Sequence, residues 1–119
     1  MSALMEKAID LSFLTSMTGG NKEKMVKYIN MFLQHAPVLM GQLQANLQQS
    51  DWPGLKTTSH TLKSQFSYMG AAEAQSIALQ IEKNAQDASN LDQMPAQVEK
   101  LKDIFEKACT ELKEELTKL

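Results

Sequence analysis

Apolar residues recur every three or four positions along several long stretches of the chain, a spacing that places them on one face of an α-helix. The first long stripe consists of Met25, Ile29, Phe32, Ala36, Leu39 and Leu43. Pro37 lies inside this stripe without shifting its phase, so the pattern predicts a bend near His35 and Ala36 rather than a helix end. One long, bent amphipathic helix is therefore predicted here.

Residues that begin and end helices flank this stripe. Asp10 precedes a short apolar pattern, and Gly19 and Gly20 supply the backbone freedom that commonly ends a helix. Asn21 is a suitable N-cap for the long helix that follows. The N-terminal part of the chain is thus predicted to be a short helix followed by a long one.

Three more helices are predicted in the second half of the chain. Asp51 and Pro53 are typical of a helix start, Gly70 is typical of a helix end, and the helix between them extends to Met69. The inner face of the fourth helix is predicted to contain Ala74, Ala78, Ile81 and Ala85. The fifth helix is predicted from the stripe Met94, Val98, Leu101, Phe105, Ala108, Leu112 and Leu116.

Four long amphipathic helices must bury their apolar faces against one another, and short connections favour antiparallel neighbours. The predicted fold is all-α: an up-and-down antiparallel four-helix bundle with a short N-terminal capping helix. The length of 119 residues, with 43% hydrophobic residues, suits one core, so a single domain over residues 1–119 is expected. Only 5 glycines and 3 prolines occur, which agrees with a helical chain.

Charge and composition exclude several classes of function. The net charge is −2 and the lysines are dispersed among acidic residues, so a nucleic-acid-binding surface is not expected. No apolar run approaches the roughly 20 residues that cross a bilayer. We therefore expect a soluble, cytoplasmic protein. The lone cysteine, Cys109, lies on an apolar stripe and is interpreted as a small buried hydrophobic residue without a chemical role.

The third predicted helix carries a histidine on its outer face. On a helical wheel its core direction is defined by Leu55, Ser59, Leu62, Phe66 and Met69. His60 lies about 140° from that direction, with Lys56 near 100°, Lys63 near 80°, Ser67 near 120° and Ser64 near 180°. His60 is therefore predicted to face solvent in the middle of the helix, among cations and hydroxyl groups.

This placement argues against two ordinary roles for a histidine. A core histidine would lie on the apolar stripe, and a metal site would need more ligands than His60 and the distant His35 provide. A solvent-facing imidazole is largely neutral at cytosolic pH and is a competent nucleophile without a buried base. Lys63, Lys56 and Ser64 are spaced to reach a phosphoryl group on it. The sequence indicates no second catalytic group converging on His60.

The segment Ser59-His60-Thr61-Leu62-Lys63-Ser64, followed by Gly70, resembles the signature of the histidine-containing phosphotransfer (HPt) family. The resemblance extends over nearly the whole chain, through Asp10-Leu11, Phe32, Asp51 and the segment Leu79 to Glu82. One position departs from the family pattern, because Ser64 stands where the family usually has glycine. The serine is expected either to hydrogen-bond the phosphoryl group or to narrow the set of partners.

The resemblance implies a monomeric carrier in a two-component phosphorelay. His60 is expected to accept a phosphoryl group from a receiver-domain aspartate, or from a hybrid sensor histidine kinase, and to pass it to a response-regulator aspartate. Lys63 and Ser64 would stabilise the phosphoryl group, with possible support from Lys56, Ser67 and Gly70. No cofactor or metal is expected in this chain, because the receiver domain would bring Mg²⁺.

The chain has no glycine-rich phosphate-binding loop, so autophosphorylation from ATP is not predicted, and a carrier rather than an enzyme is expected. The partner surface is predicted to surround His60 and to include Phe13 or Met17 from the short helix. Two alternatives remain open at this stage. One is a helical-bundle interaction module with no phosphotransfer, and the other is a small enzyme of a different kind.

Overall fold

A computed structural model describes residues 7–119, and within that range the secondary structure is entirely helical. The helices are α1 (Ser12–Thr18), α2 (Lys22–Gln48), α3 (Trp52–Tyr68), α4 (Ala72–Asp87) and α5 (Met94–Lys118), with one 3-10 turn at Leu91–Gln93. The all-α prediction is confirmed, and each predicted helix has a counterpart.

Side-chain caps begin two of the long helices where the sequence predicted them. The side chain of Asn21 accepts a hydrogen bond from the Lys24 amide at 3.0 Å, and that of Asp51 accepts one from the Gly54 amide at 3.0 Å. Asp10 is not the N-cap of α1, because that position belongs to Leu11. The Asp10 carboxylate still accepts from the backbone amide and hydroxyl of Ser12, at 2.9 and 2.6 Å.

The helix α2 continues through its internal proline. It spans 27 residues without ending at Pro37, as the unshifted apolar stripe predicted. The position of the bend stays a prediction. Met40, rather than Leu39, is the first buried residue after the proline, while Leu39 is half-buried at the edge of the core.

The four long helices enclose one hydrophobic core. Helix α2 packs against α3 and α5, α3 against α4, and α4 against α5, so the contacts form a closed ring. The rings of Phe32, Phe66 and Phe105 meet in its centre, with centroids 6.0 to 6.4 Å apart. The alternating up-and-down direction of the helices stays a prediction.

The interface between α3 and α4 is the most extensive of these. The buried face of α4 combines three alanines, Ala74, Ala78 and Ala85, with two isoleucines, Ile77 and Ile81. Small side chains allow two helix axes to approach closely. This close approach determines which polar residues of α4 reach the outer face of α3.

The turn between α3 and α4 is fixed by Gly70 and by the backbone that precedes α1. Gly70 has φ +63°, and a Cβ atom there would collide with the carbonyl oxygen of Asp10. The Asp10 amide donates to the Met69 carbonyl at 3.2 Å, which holds the two segments together. Gly70 ends the histidine helix as predicted, because only glycine fits both the left-handed backbone and the close contact.

Candidate functional site

His60 lies in the middle of α3 and faces solvent, as the helical wheel predicted. Its side chain is 62% exposed, whereas the preceding Ser59 is fully buried, its hydroxyl donating to the Leu55 carbonyl at 2.7 Å. The core side of α3 is therefore anchored next to the histidine, and the imidazole ring projects from a rigid helix.

A carboxylate from α4 contacts this ring. Oε2 of Glu82 lies 2.8 Å from Nδ1 of His60, and Oε1 of the same residue lies 2.7 Å from Nζ of Lys63. The side chain of Glu82 is only 12% exposed. The sequence did not indicate this contact, in which one carboxylate joins the imidazole to the lysine one turn further along.

The contact with Glu82 determines which ring nitrogen is available. Burial alone would raise the pKa of Glu82, but hydrogen bonds from Lys63 and His60, together with their charges, lower it below the ordinary value. An ionised carboxylate can only accept hydrogen bonds, so Nδ1 must carry the hydrogen. In a neutral ring the lone pair then lies on Nε2, the nitrogen not engaged by Glu82.

The register of α4 explains why Glu82 reaches the site. Glu82 follows the buried Ile81 and lies four residues after Ala78, at the border between the inner and outer faces of α4. Because α4 packs closely on α3, a long side chain at that border extends over the outer face of its neighbour. The sequence signal for this contact was a carboxylate next to a stripe of small residues on α4. That signal was insufficient, because tertiary packing sets how α4 is rotated relative to α3.

The other predicted site residues lie at different distances along α3. Lys56 and Ser64 are exposed one turn before and one turn after His60. Ser67 is half-buried, and its hydroxyl donates to the Ser64 carbonyl at 2.7 Å. Gly70 follows the end of α3 at Tyr68, which itself lies about 12 Å along the axis from His60 at a rise of roughly 1.5 Å per residue. The helix thus groups Lys56, Lys63 and Ser64 around His60, while Gly70 belongs to the turn.

An apolar groove lies between α1, α2 and α3. It has a volume of about 340 Å³ and is lined by Leu14, Met17, Tyr28, Met31, Phe32, His35, Gln65, Tyr68 and Met69. Several of these side chains are exposed apolar groups, and Phe13 packs on Tyr68 with ring centroids 5.9 Å apart. Exposed apolar patches of this kind often mark protein-binding surfaces.

The described part of the chain, residues 7–119, shows neither a metal-binding cluster nor a membrane-spanning helix. No group of three or more His, Cys, Asp and Glu side chains in this range is arranged to hold a metal ion. None of the helices in the same range is long and apolar enough to cross a membrane.

The helical bundle displays a solvent-facing histidine from the middle of one helix, with a lysine one turn further along, as the resemblance to phosphotransfer proteins implied. A family model of the Hpt domain matches residues 27–119, so the chain belongs to the Hpt domain family. The protein accordingly takes part in histidine phosphotransfer within a two-component phosphorelay. Members of this family are phosphotransfer carriers that interact with receiver domains and kinases.

The fold is similar to that of histidine-containing phosphotransfer protein B from Pseudomonas aeruginosa PAO1. The two share 23% sequence identity with a TM-score of 0.87, over 94% of this chain and 96% of the other. At this identity the similarity supports the helical fold. A search of curated proteins found no match.

Proposed function

We propose that His60 is the phosphoacceptor and that its Nε2 atom is the nucleophile. The observation that carries this proposal is the 2.8 Å contact between Nδ1 of His60 and Glu82 on a ring that is otherwise exposed. A held Nδ1 hydrogen leaves the Nε2 lone pair for attack, and an exposed ring can enter the active site of a partner. The whole chain, residues 1–119, would then act as one carrier domain.

The chemical step joins His60 to the phosphorus of an aspartyl phosphate. The Nε2 lone pair forms the new N–P bond while the P–O bond breaks and the aspartate leaves as a carboxylate. The Nδ1 hydrogen stays on the ring, which gains positive charge that the Glu82 carboxylate stabilises. The reverse step returns the phosphoryl group to another aspartate, because both phosphorylated species are energetic.

Lys63 is the proposed cationic partner of the phosphoryl group. Its ammonium group is held 2.7 Å from Glu82, one turn from His60, and its side chain is 25% exposed. A phosphoryl group adds up to two negative charges beside it, which favours a lysine at that distance. Ser64, Lys56 and Ser67 are proposed to support the same group, and Gly70 to act through the turn that it shapes.

The proposed partners are receiver domains, and a hybrid sensor kinase is a second possible donor. The receiver supplies Mg²⁺ and most of the catalytic electrostatics, so this chain needs no cofactor of its own. We propose that a receiver bound over His60 also covers the apolar groove, whose Tyr68 lies about 12 Å along α3 from the histidine. Met17 on α1 belongs to the same surface, and Phe13 packs beside it.

We further propose that the protein is a monomeric, cytoplasmic carrier without enzymatic activity of its own and without affinity for nucleic acid. The dispersed lysines and net charge of −2 support the last point. The alternative of an interaction module without phosphotransfer is disfavoured by the family membership.

Transfer of radiolabelled phosphoryl from phosphorylated receiver domains tests the proposal. Wild-type protein is compared with His60→Gln, and with His35→Gln as the matched control on α2. Acid-labile, alkali-stable label is expected on the wild type and on His35→Gln, and none on His60→Gln. Label on His60→Gln would contradict the assignment of the acceptor, and an unlabelled but folded wild type with several receivers would favour the interaction module.

A further inference from the structure

The segment that precedes α1 is held by a carboxylate from the last helix. Oε1 of Glu111, on α5, accepts from the backbone amides of Ala8 at 2.8 Å and Ile9 at 3.3 Å, and Oε2 accepts from the Ala8 amide at 3.0 Å. Glu111 is buried, as is Ile9. These contacts join positions more than one hundred residues apart in sequence.

The helix α1 depends on such anchors because it is short. It contains 7 residues, of which only Leu14 and Thr18 are buried. Helices of this length are not stable by themselves in water, so their placement comes from tertiary contacts. The exposed residue Met17 is therefore positioned by whatever fixes the ends of α1.

A continuous set of contacts links Glu111 to that helix. Beyond Ala8 and Ile9, the Asp10 amide donates to the Met69 carbonyl, and the Asp10 carboxylate accepts from Ser12, the first residue of α1. Met69 itself lines the apolar groove beside Met17. The segment Ala8 to Asp10 is thus held by α5 on one side and by the end of α3 on the other.

We propose that Glu111 is a positioning residue for receiver docking, because it fixes the segment that sets α1 as one wall of the groove. This inference rests on the proposed function of that groove. A buried carboxylate is costly unless hydrogen bonds satisfy it, and here backbone amides that would otherwise lack partners do so. Glu111 lies on a different helix from His60 and Glu82, so its effect is on docking and not on the chemical step.

The test compares Glu111→Ala with Thr110→Ala, an exposed neighbour on α5 whose hydroxyl donates only to the Glu106 carbonyl. Transfer is measured against the concentration of the receiver that labels wild type best, giving a half-saturating concentration and a maximal rate. Phosphorylation by phosphoramidate, a small donor that needs no groove, is measured in parallel.

We expect Glu111→Ala to raise the half-saturating concentration roughly tenfold and to leave the maximal rate and the phosphoramidate rate unchanged. The control Thr110→Ala should change none of these three quantities. An unchanged half-saturating concentration, or a fall in the phosphoramidate rate, would overturn the inference. Failure of the proposed function would be distinct, because wild type itself would then accept no phosphoryl group from either donor.

A second variant covers the case in which Glu111→Ala does not fold. Glu111→Gln keeps one acceptor oxygen and is expected to raise the half-saturating concentration by a smaller factor. In a Met17→Ala background the effect of Glu111→Gln should disappear, because the docking group that it positions is gone. Effects that multiply independently in the double variant would overturn the inference.

Discussion

Nζ of Lys63 and Nδ1 of His60 share one carboxylate, that of Glu82, whose two oxygens lie 2.7 and 2.8 Å from them. The lysine is therefore already ordered beside the imidazole before any phosphoryl group arrives. Pre-organised charge of this kind reduces the reorganisation that a transfer step requires.

Replacement of Glu82 by alanine should slow phosphoryl acceptance by His60 roughly 10- to 100-fold, since a hydrogen bond to a charged group contributes about 1.5 to 3 kcal/mol. Both ring tautomers should then be populated, which nitrogen NMR of the imidazole can detect. Glu73→Ala, on the exposed face of the same helix, is the matched control and should change neither quantity. A single unchanged tautomer in Glu82→Ala would contradict the role assigned to the carboxylate.

The same carboxylate makes stability depend on pH in acid. The pKa of Glu82 is lowered in the folded protein, so near its ordinary value of 4.5 the unfolded chain binds more protons than the folded one. The contribution of Glu82 to the free energy of unfolding is fully present above pH 4.5 and is lost as the pH falls through the lower pKa of the folded state. Urea unfolding of wild type and Glu82→Gln should therefore differ most at pH 7, and the difference should shrink as the pH falls below 4.5. A difference that stays constant with pH would count against this linkage.

Ser64 can be dissected with two substitutions. Ser64→Ala removes the hydroxyl and keeps the Cβ atom, whereas Ser64→Gly also opens space one turn beyond His60. If the serine narrows the set of partners, Ser64→Gly alone should increase transfer from receivers that wild type accepts poorly. Compared with Ser64→Ala, Ser64→Gly should also lower the free energy of unfolding by about 0.5 to 1 kcal/mol, the usual cost of glycine relative to alanine inside a helix. Unchanged transfer to every receiver with both variants would remove both roles.

Gly70 and Gly41 should respond in opposite ways to alanine. Gly70→Ala places a side chain on a left-handed backbone and against Asp10, and should destabilise the protein by roughly 1 to 3 kcal/mol or more. Gly41 lies inside α2 with open space around it, so Gly41→Ala should stabilise by about 0.5 to 1 kcal/mol. Thermal unfolding of both variants checks the pair, and a neutral Gly70→Ala would show that the turn can relax.

Cys109 should be unreactive in the folded protein. Burial raises the pKa of its thiol to about 11, with Lys113 opposing and Glu106 reinforcing that shift. Since the thiolate is the reactive form, labelling with iodoacetamide at pH 8 should be slow until the protein unfolds. Labelling at the rate of a free thiol under native conditions would contradict this prediction.

Helical periodicity was sufficient to predict α2 to α5. Each of them carries apolar residues three or four positions apart, and residues at this spacing share one face only when the segment is an α-helix. The outward direction of His60 followed from the same argument. Glu82 and Glu111 could not be found this way, since their partners lie on other elements. Their contacts depend on the rotation and register of packed helices, which side-chain volumes across the whole core determine together.

The half-burial of Cys109 was only partly predicted. Its neighbours on the stripe of α5 are buried, but Cys109 itself lies at the margin of the core. A helical wheel assigns a residue to a face, whereas the width of the buried face depends on how many helices pack around it. The same limit applies to Leu39 on α2.

The joint contact of Glu82 with His60 and Lys63 crosses from α4 to α3, so it exists at only one alignment of the two helices. A slide of α4 by a single turn, about 5.4 Å, would separate the carboxylate from both groups at once. The tautomer of the imidazole is therefore a local indicator of how these helices are aligned. A substitution in the interface between α3 and α4 that shifts this alignment would break the contact of Glu82 with His60, although the substituted residue does not touch the imidazole.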